Sequence, residues 1–181
     1  MATLPAFDEL TQDQVSVREY LTTSYRPDCD YVDGRLEERT VGEFDHGTVQ
    51  ALLAQIILNH GREWGVMAAT EVRMRVSKTR FRIPDVLVVR RDAPREPVLT
   101  HPPLLAIEVL SSEDRMSRVQ VRIDDFLSFG IENIWIVDPA RRTGFRATAD
   151  HLQEAEDGIL SVPGTSIRID LKELFAALDQ A

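Results

Sequence analysis

The sequence predicts an α/β fold, a mixed central sheet with helices against its faces, and three observations point to it. Apolar residues recur at helical spacing over 46–63; three runs rich in Val, Ile and Leu follow; then a second helical stretch leads into the apolar run "NIWIVDP". Alternation of long helical periods with short apolar runs builds a layered sheet, not a bundle or a sandwich.

In chain order, "TQDQVSVREYLT" predicts a short amphipathic helix starting near Thr11 or Asp13, broken by "RPDCD". Asp33-Gly34 between Tyr31-Val32 and Arg35-Leu36 is the dipeptide that type I′ turns favour, so a small hairpin is expected there. Val49, Leu52, Leu53, Ile56, Ile57 and Trp64 mark the first long helix, with Gly65 as its stop. Residues 66–76, 81–89 and 104–110 read as three successive strands. Met116, Val119, Ile123 and Phe126 share one face of a second helix over 113–129, closed by Gly130 before "NIWIVDP". Short strands are expected around 144–147, 151–154 and 159–162, and "DLKELFAALD" makes a terminal helix capped by Asp170.

The 181 residues fit one domain, residues 1–181, and 43% hydrophobic with 28% charged residues is an ordinary globular composition. No apolar run approaches the ~18 residues of a membrane span. No membrane partner and a cytoplasmic location are therefore expected. Cys29 is the only cysteine, which excludes an internal disulfide and a thiolate metal site. The net charge of −9 argues against a generic nucleic-acid binder. Residues 62–122 are the exception, carrying twelve basic against eight acidic side chains.

Within that basic segment, two apolar runs each contain one acid. "RIPDVLVV" opens with Asp85 ahead of Val86, Leu87, Val88 and Val89, and "LLAIEVLS" carries Glu108. A carboxylate in a strand buried on both faces is costly unless it is paired or bound to a cation. Consecutive strands neighbour each other about two times in three. Asp85 and Glu108 can then converge at one spot and offer two oxygen ligands to a hard cation such as Mg²⁺, with waters or a substrate phosphate completing the octahedron.

The set "YVDGRLEE", His46 opening a helix, "RIPDVLVV", "AIEVLSSEDR" and "FGIENIWIVDP" resembles the Uma-type family of restriction endonucleases, part of the PD-(D/E)xK nuclease superfamily. The likeness covers about 31–139. It implies a restriction-endonuclease-like sheet and an endonuclease that hydrolyses phosphodiester bonds in DNA with Mg²⁺, for which Mn²⁺ can substitute. It makes Asp85 and Glu108 the metal carboxylates and Glu43 or His46 an auxiliary catalytic group. A symmetric homodimer fits the resemblance, since superfamily enzymes often cut two strands with two subunits. The superfamily's lysine falls at Leu110, and the Uma-type lysine at Arg122, four residues before Phe126; no lysine stands between Lys78 and Lys172. Arginine stays protonated, so Arg122 can stabilise phosphate oxygens but cannot transfer a proton. With Arg115 and Arg118 it forms a ridge able to lie along a nucleic-acid backbone.

Each residue has a plainer reading. Asp85 can be a strand-end carboxylate paired with Arg82, Arg80 or another nearby arginine, and Arg122 a surface partner of Asp125 at i+3. His46 and Glu43 can be ordinary polar residues entering a helix, and Glu71 a member of a solvated strand face with Arg73 and Arg75. Trp64 and Trp135 read as core or interface aromatics. The alternative function is then a weak or inactive relative that binds nucleic acid or another protein.

Overall fold

The computed structural model describes residues 14–39 and 43–180. Its elements are α1 (Val17–Thr22), β1 (Cys29–Val32), β2 (Arg35–Glu38), α2 (Phe44–Asn59), β3 (Val66–Thr70), β4 (Met74–Arg75), β5 (Arg80–Arg82), β6 (Val86–Arg90), β7 (Leu105–Val109) and α3 (Met116–Phe129). They continue with β8 (Ile134–Asp138), β9 (Thr143–Ala147), β10 (Leu152–Glu154), a 3₁₀ turn, β11 (Ile159–Ser161), β12 (Arg168–Asp170) and α4 (Leu171–Leu178). Six strands form the main sheet in the order β10-β9-β8-β7-β6-β3. Its pairs are antiparallel except β7 with β8, and α3 is the crossover that their parallel pairing requires.

The main sheet is covered on both faces. Val49, Leu53 and Ile57 of α2 and Leu174 and Phe175 of α4 pack with Val86 and Val88. Val119, Ile123 and Phe126 of α3 pack on the other side with Leu87 and Ala106. Strand β6 thus sends alternate side chains into two cores, which is why its sequence is apolar at both parities.

The stretches 66–76 and 81–89, expected as single strands, are each divided between two sheets. After β3, Glu71 takes φ 53°, and β4 joins a smaller sheet of order β2-β1-β5-β4. The return strand β5 belongs to that sheet as well, and β6 joins the main one only after Ile83-Pro84-Asp85. Pro84 has no amide hydrogen to give a ladder, so the chain changes sheets there without forfeiting a backbone bond. The opening Pro-Asp pair is a junction, and it leaves Asp85 at a sheet end.

The hairpin turn holds Asp33 at φ 49° and Gly34 at φ 93°, as a type I′ turn requires. Tyr20, Tyr31 and Phe81 make a third small core beneath it. Helix α1 is capped by Ser16, whose Oγ accepts from Glu19 N at 3.1 Å; the expected start at Thr11 or Asp13 lies outside the described residues. Helix α2 ends at Asn59, short of 63; beyond it half-buried Trp64 stacks on His60 and packs against the core that contains Trp135. Helix α3 begins at Met116, not 113, because Ser111 N donates to Asp114 Oδ2 at 2.8 Å in a preceding turn. Gly130 closes it at φ 101°, and Asp170 caps α4 by accepting from Lys172 N and Glu173 N. Strand β12 was not legible in its three residues; it forms by pairing with β11. Among the described residues, no helix is long and apolar enough to cross a membrane.

A two-carboxylate cleft as the candidate active site

Strand pairing brings the two acids together. Val86 stands opposite Ile107, and continuing that antiparallel register by one residue sets Asp85 opposite Glu108. Directly opposed residues share a sheet face. Both carboxylates line one cleft of about 290 Å³, and Val109 N donates to Asp85 Oδ2 at 2.8 Å. Asp85 and Glu108 are 3% and 5% exposed, so neither is a solvated surface charge.

Their counter-ions differ from those expected. Asp85 Oδ1 accepts from Arg39 Nη2 at 2.5 Å and Oδ2 lies 3.4 Å from His46 Nε2, while Arg80 and Arg82 are engaged elsewhere. Arg122 Nη2 reaches both Glu108 oxygens, at 2.8 and 2.7 Å, and donates to the Ile83 carbonyl at 3.0 Å. The expected Arg122–Asp125 pair is therefore replaced. Asp125 is buried and takes Arg80 and Arg82 instead, because α3 turns that side chain toward the small sheet.

Burial tends to raise the Asp85 carboxyl, but the His46 contact and the charges of Arg39 and Arg122 together hold it below the usual carboxylate range. Burial pushes Glu108 up to about 8; Arg122 opposes the rise and nearby Asp85 adds to it. The Asp85 contact raises His46 above its ordinary value against the effect of burial. The two neighbouring carboxylates therefore tend in opposite directions, Asp85 toward its charged form and Glu108 toward its neutral one.

The other predicted residues divide. His46, in the first turn of α2, lines the cleft. Glu43, the residue before α2, faces an adjoining depression that shares His46, Leu110 and Asp114 with the cleft, and it accepts a hydrogen bond from Ser112 Oγ. Arg118 is exposed on the cleft wall. Arg115 precedes α3 in extended conformation, exposed and away from that wall, so the ridge with Arg118 and Arg122 is not continuous. Glu71 is exposed, 3.8 Å from Arg39.

Arg39 and Asp30 are two cleft residues, each in contact with a predicted one, that sequence reasoning missed. Asp30 is 3% exposed; its Oδ1 accepts from Ile83 N at 2.9 Å and its Oδ2 from Arg82 at 3.0 Å, with Arg122 Nε 3.9 Å away. Both sit on or beside the hairpin "CDYVDGRLEER", where charged residues look solvated; the single signal was a carboxylate between Cys29 and Tyr31, two residues suited to burial.

Among the described residues, no three His, Cys, Asp or Glu side chains stand as a metal-binding group. Mg²⁺ does not demand one, since one or two carboxylates with waters and substrate phosphates suffice. The cleft also sets six carboxylates (Asp30, Glu37, Glu38, Asp85, Glu108, Asp114) against three arginines (Arg39, Arg118, Arg122) and His46. Its donor chemistry and its excess of negative charge fit a hard cation.

A mixed sheet with helices on both faces and an acid at the meeting ends of two adjacent strands defines a restriction-endonuclease-like protein. A sequence profile named Uma2, described as "Putative restriction endonuclease", matches residues 17–169, and the chain belongs to that family. Restriction-endonuclease-like enzymes generally use divalent metals. The crystal structure of a "putative nuclease belonging to DUF820" from Anabaena variabilis ATCC 29413 is similar at a TM-score of 0.78 and 22% identity, over 91% of this chain and 99% of that one. At that identity the likeness bears on the fold. No curated protein matches the sequence.

Proposed function

We propose that the chain is a divalent-metal-dependent endonuclease that hydrolyses phosphodiester bonds in DNA. The observation that carries the reading is the register that sets Asp85 opposite Glu108 in an acid-rich cleft. Asp85 and Glu108 would hold Mg²⁺, or Mn²⁺ in its place, and the bound ion supplies Lewis-acid polarisation and a more acidic water. Arg122, permanently charged, stabilises charge developing on the phosphate oxygens. His46, beside Asp85, is a cleft group able to exchange a proton with water or substrate. Glu43 orders the edge of the cleft through Ser112, and Arg118 and Arg115 meet flanking phosphates. In this reading the protein works as a single cytoplasmic domain, residues 1–181, paired as a homodimer to cut both strands.

A second reading, an inactive relative that binds nucleic acid or protein, draws on a specific observation. Both carboxylates already have arginine counter-ions, and no lysine is at hand. Single-turnover cleavage of duplex DNA in Mg²⁺ and in Mn²⁺ decides between them, with Asp85→Asn as control. Cleavage by the native chain that falls to background in Asp85→Asn is the expected result. Metal binding without cleavage favours the second reading, and full cleavage by Asp85→Asn removes the site.

A further inference from the structure

Arg39, half-buried, is held differently from buried Arg82 and half-buried Arg122. Arg82 donates to Asp30, Glu37 and Asp125 at 2.7 to 3.0 Å and clamps β5 to the hairpin and α3. Arg122 is anchored to a backbone carbonyl as well as to Glu108. Arg39 has a single hydrogen bond among the described residues, from Nη2 to Asp85 at 2.5 Å; its Nη1 is 3.8 Å from a Glu71 carboxylate that is 60% exposed, and its buried Nε, like one nitrogen each of Arg82 and Arg122, has no hydrogen-bond partner there. A guanidinium carries five donors in a planar fork, so the structure leaves part of Arg39's capacity unused beside an open cleft.

We infer that Arg39 is a phosphate ligand held in reserve: it neutralises Asp85 until a divalent cation takes that carboxylate, and then presents its guanidinium to a phosphodiester in the cleft. The inference rests on the reading of Asp85 as a cation ligand. A buried carboxylate stripped of its partner is strongly destabilised, which gives Arg39 its place in the metal-free protein. A divalent ion at Asp85 supplies the same neutralisation and removes the attraction that holds Arg39. The exposed Glu71 is a weak competitor for the freed side chain. A phosphate matches the planar fork bidentately and is the stronger partner.

The test titrates Mn²⁺ by calorimetry into the native chain, Arg39→Gln, Arg39→Lys and Asp85→Asn, and follows binding of a short DNA duplex over a salt series with Ca²⁺ replacing Mg²⁺. Without its resident competitor, Arg39→Gln is expected to bind Mn²⁺ at least about tenfold more tightly, equivalent to about 1.4 kcal/mol. Its plot of log affinity against log salt should be shallower by about 0.9, the loss of one phosphate contact. Arg39→Lys, which also serves if Arg39→Gln does not fold, should show intermediate Mn²⁺ affinity and keep the native slope. Unchanged or weaker Mn²⁺ binding in both Arg39 variants, or an unchanged slope in Arg39→Gln, overturns the inference, while loss of Mn²⁺ binding in Asp85→Asn leaves the metal reading standing. Native Mn²⁺ affinity in Asp85→Asn overturns the metal reading itself.

Discussion

Arg122 does two things at once, and substitution separates them. It is the counter-ion of a buried Glu108 and, in the proposed function, a permanent cation in the cleft available to phosphate charge. Arg122→Ala is expected to lose up to about 3–5 kcal/mol of stability at alkaline pH, where it leaves an ionised buried Glu108 without its partner, and less where Glu108 takes up a proton. If Arg122 acts as a single transition-state donor, cleavage falls by about 10²- to 10³-fold as well. Arg122→Lys keeps the charge and adds a mobile ammonium that can approach the attacking water, so its cleavage rate should at least equal the native one. Urea unfolding and single-turnover rates measured on the same preparations check both parts; equal rates in all three proteins would make Arg122 a counter-ion alone. At this scale the acids were legible and their partners were not. Asp85 and Glu108 interrupt apolar runs, a local anomaly visible in ten residues. Arg39 and His46 reach Asp85 across 46 and 39 positions of chain, a closeness that only the tertiary fold creates.

The elements most readily read were those with strong periodicity and a defined end: α2, α3 with its Gly130 stop, and α4 with its Asp170 cap. Strand division at Glu71 and Pro84 was missed because an apolar run records burial but not which sheet buries it. Arg82 is what ties the small sheet to α3, joining β1, β2 and β5 to that helix with 1% of its side chain exposed. Arg82→Ala should cost about 3–5 kcal/mol by leaving buried Asp30 without its close cation and Asp125 with Arg80 alone. Arg82→Lys should recover little, since one ammonium cannot span carboxylates on three elements. Hydrogen exchange localises the effect: amides of the β1–β2 hairpin and of α3 should lose protection first, with those of β8 and β9 retained. Uniform loss across the main sheet would show that the clamp supports the whole domain and not the cleft wall.

For the whole molecule, the basic stretch 62–122 suggested a surface that attracts nucleic acid, and the fold redirects much of it inward. Arg73 pairs with Asp28, Arg80 with Asp33 and Asp125, Arg82 with three acids and Arg122 with Glu108. With those cations engaged, a net charge of −9 and an acid-rich cleft, duplex DNA should bind weakly in EDTA and more tightly once a divalent ion offsets the carboxylates. The salt dependence carries a number. Phosphate contacts from Arg39, Arg115, Arg118 and Arg122 would give a slope of about −3.6 in log affinity against log salt, or about 150-fold between 50 and 200 mM. Fluorescence anisotropy of a labelled duplex in Mg²⁺ or Ca²⁺ measures it. A slope of about −6 or steeper requires more phosphate contacts than the cleft arginines can make, and would place DNA on a different face. Binding that is tight in EDTA and indifferent to salt would mean that the carboxylates repel nothing and that the cleft is not where nucleic acid meets this protein.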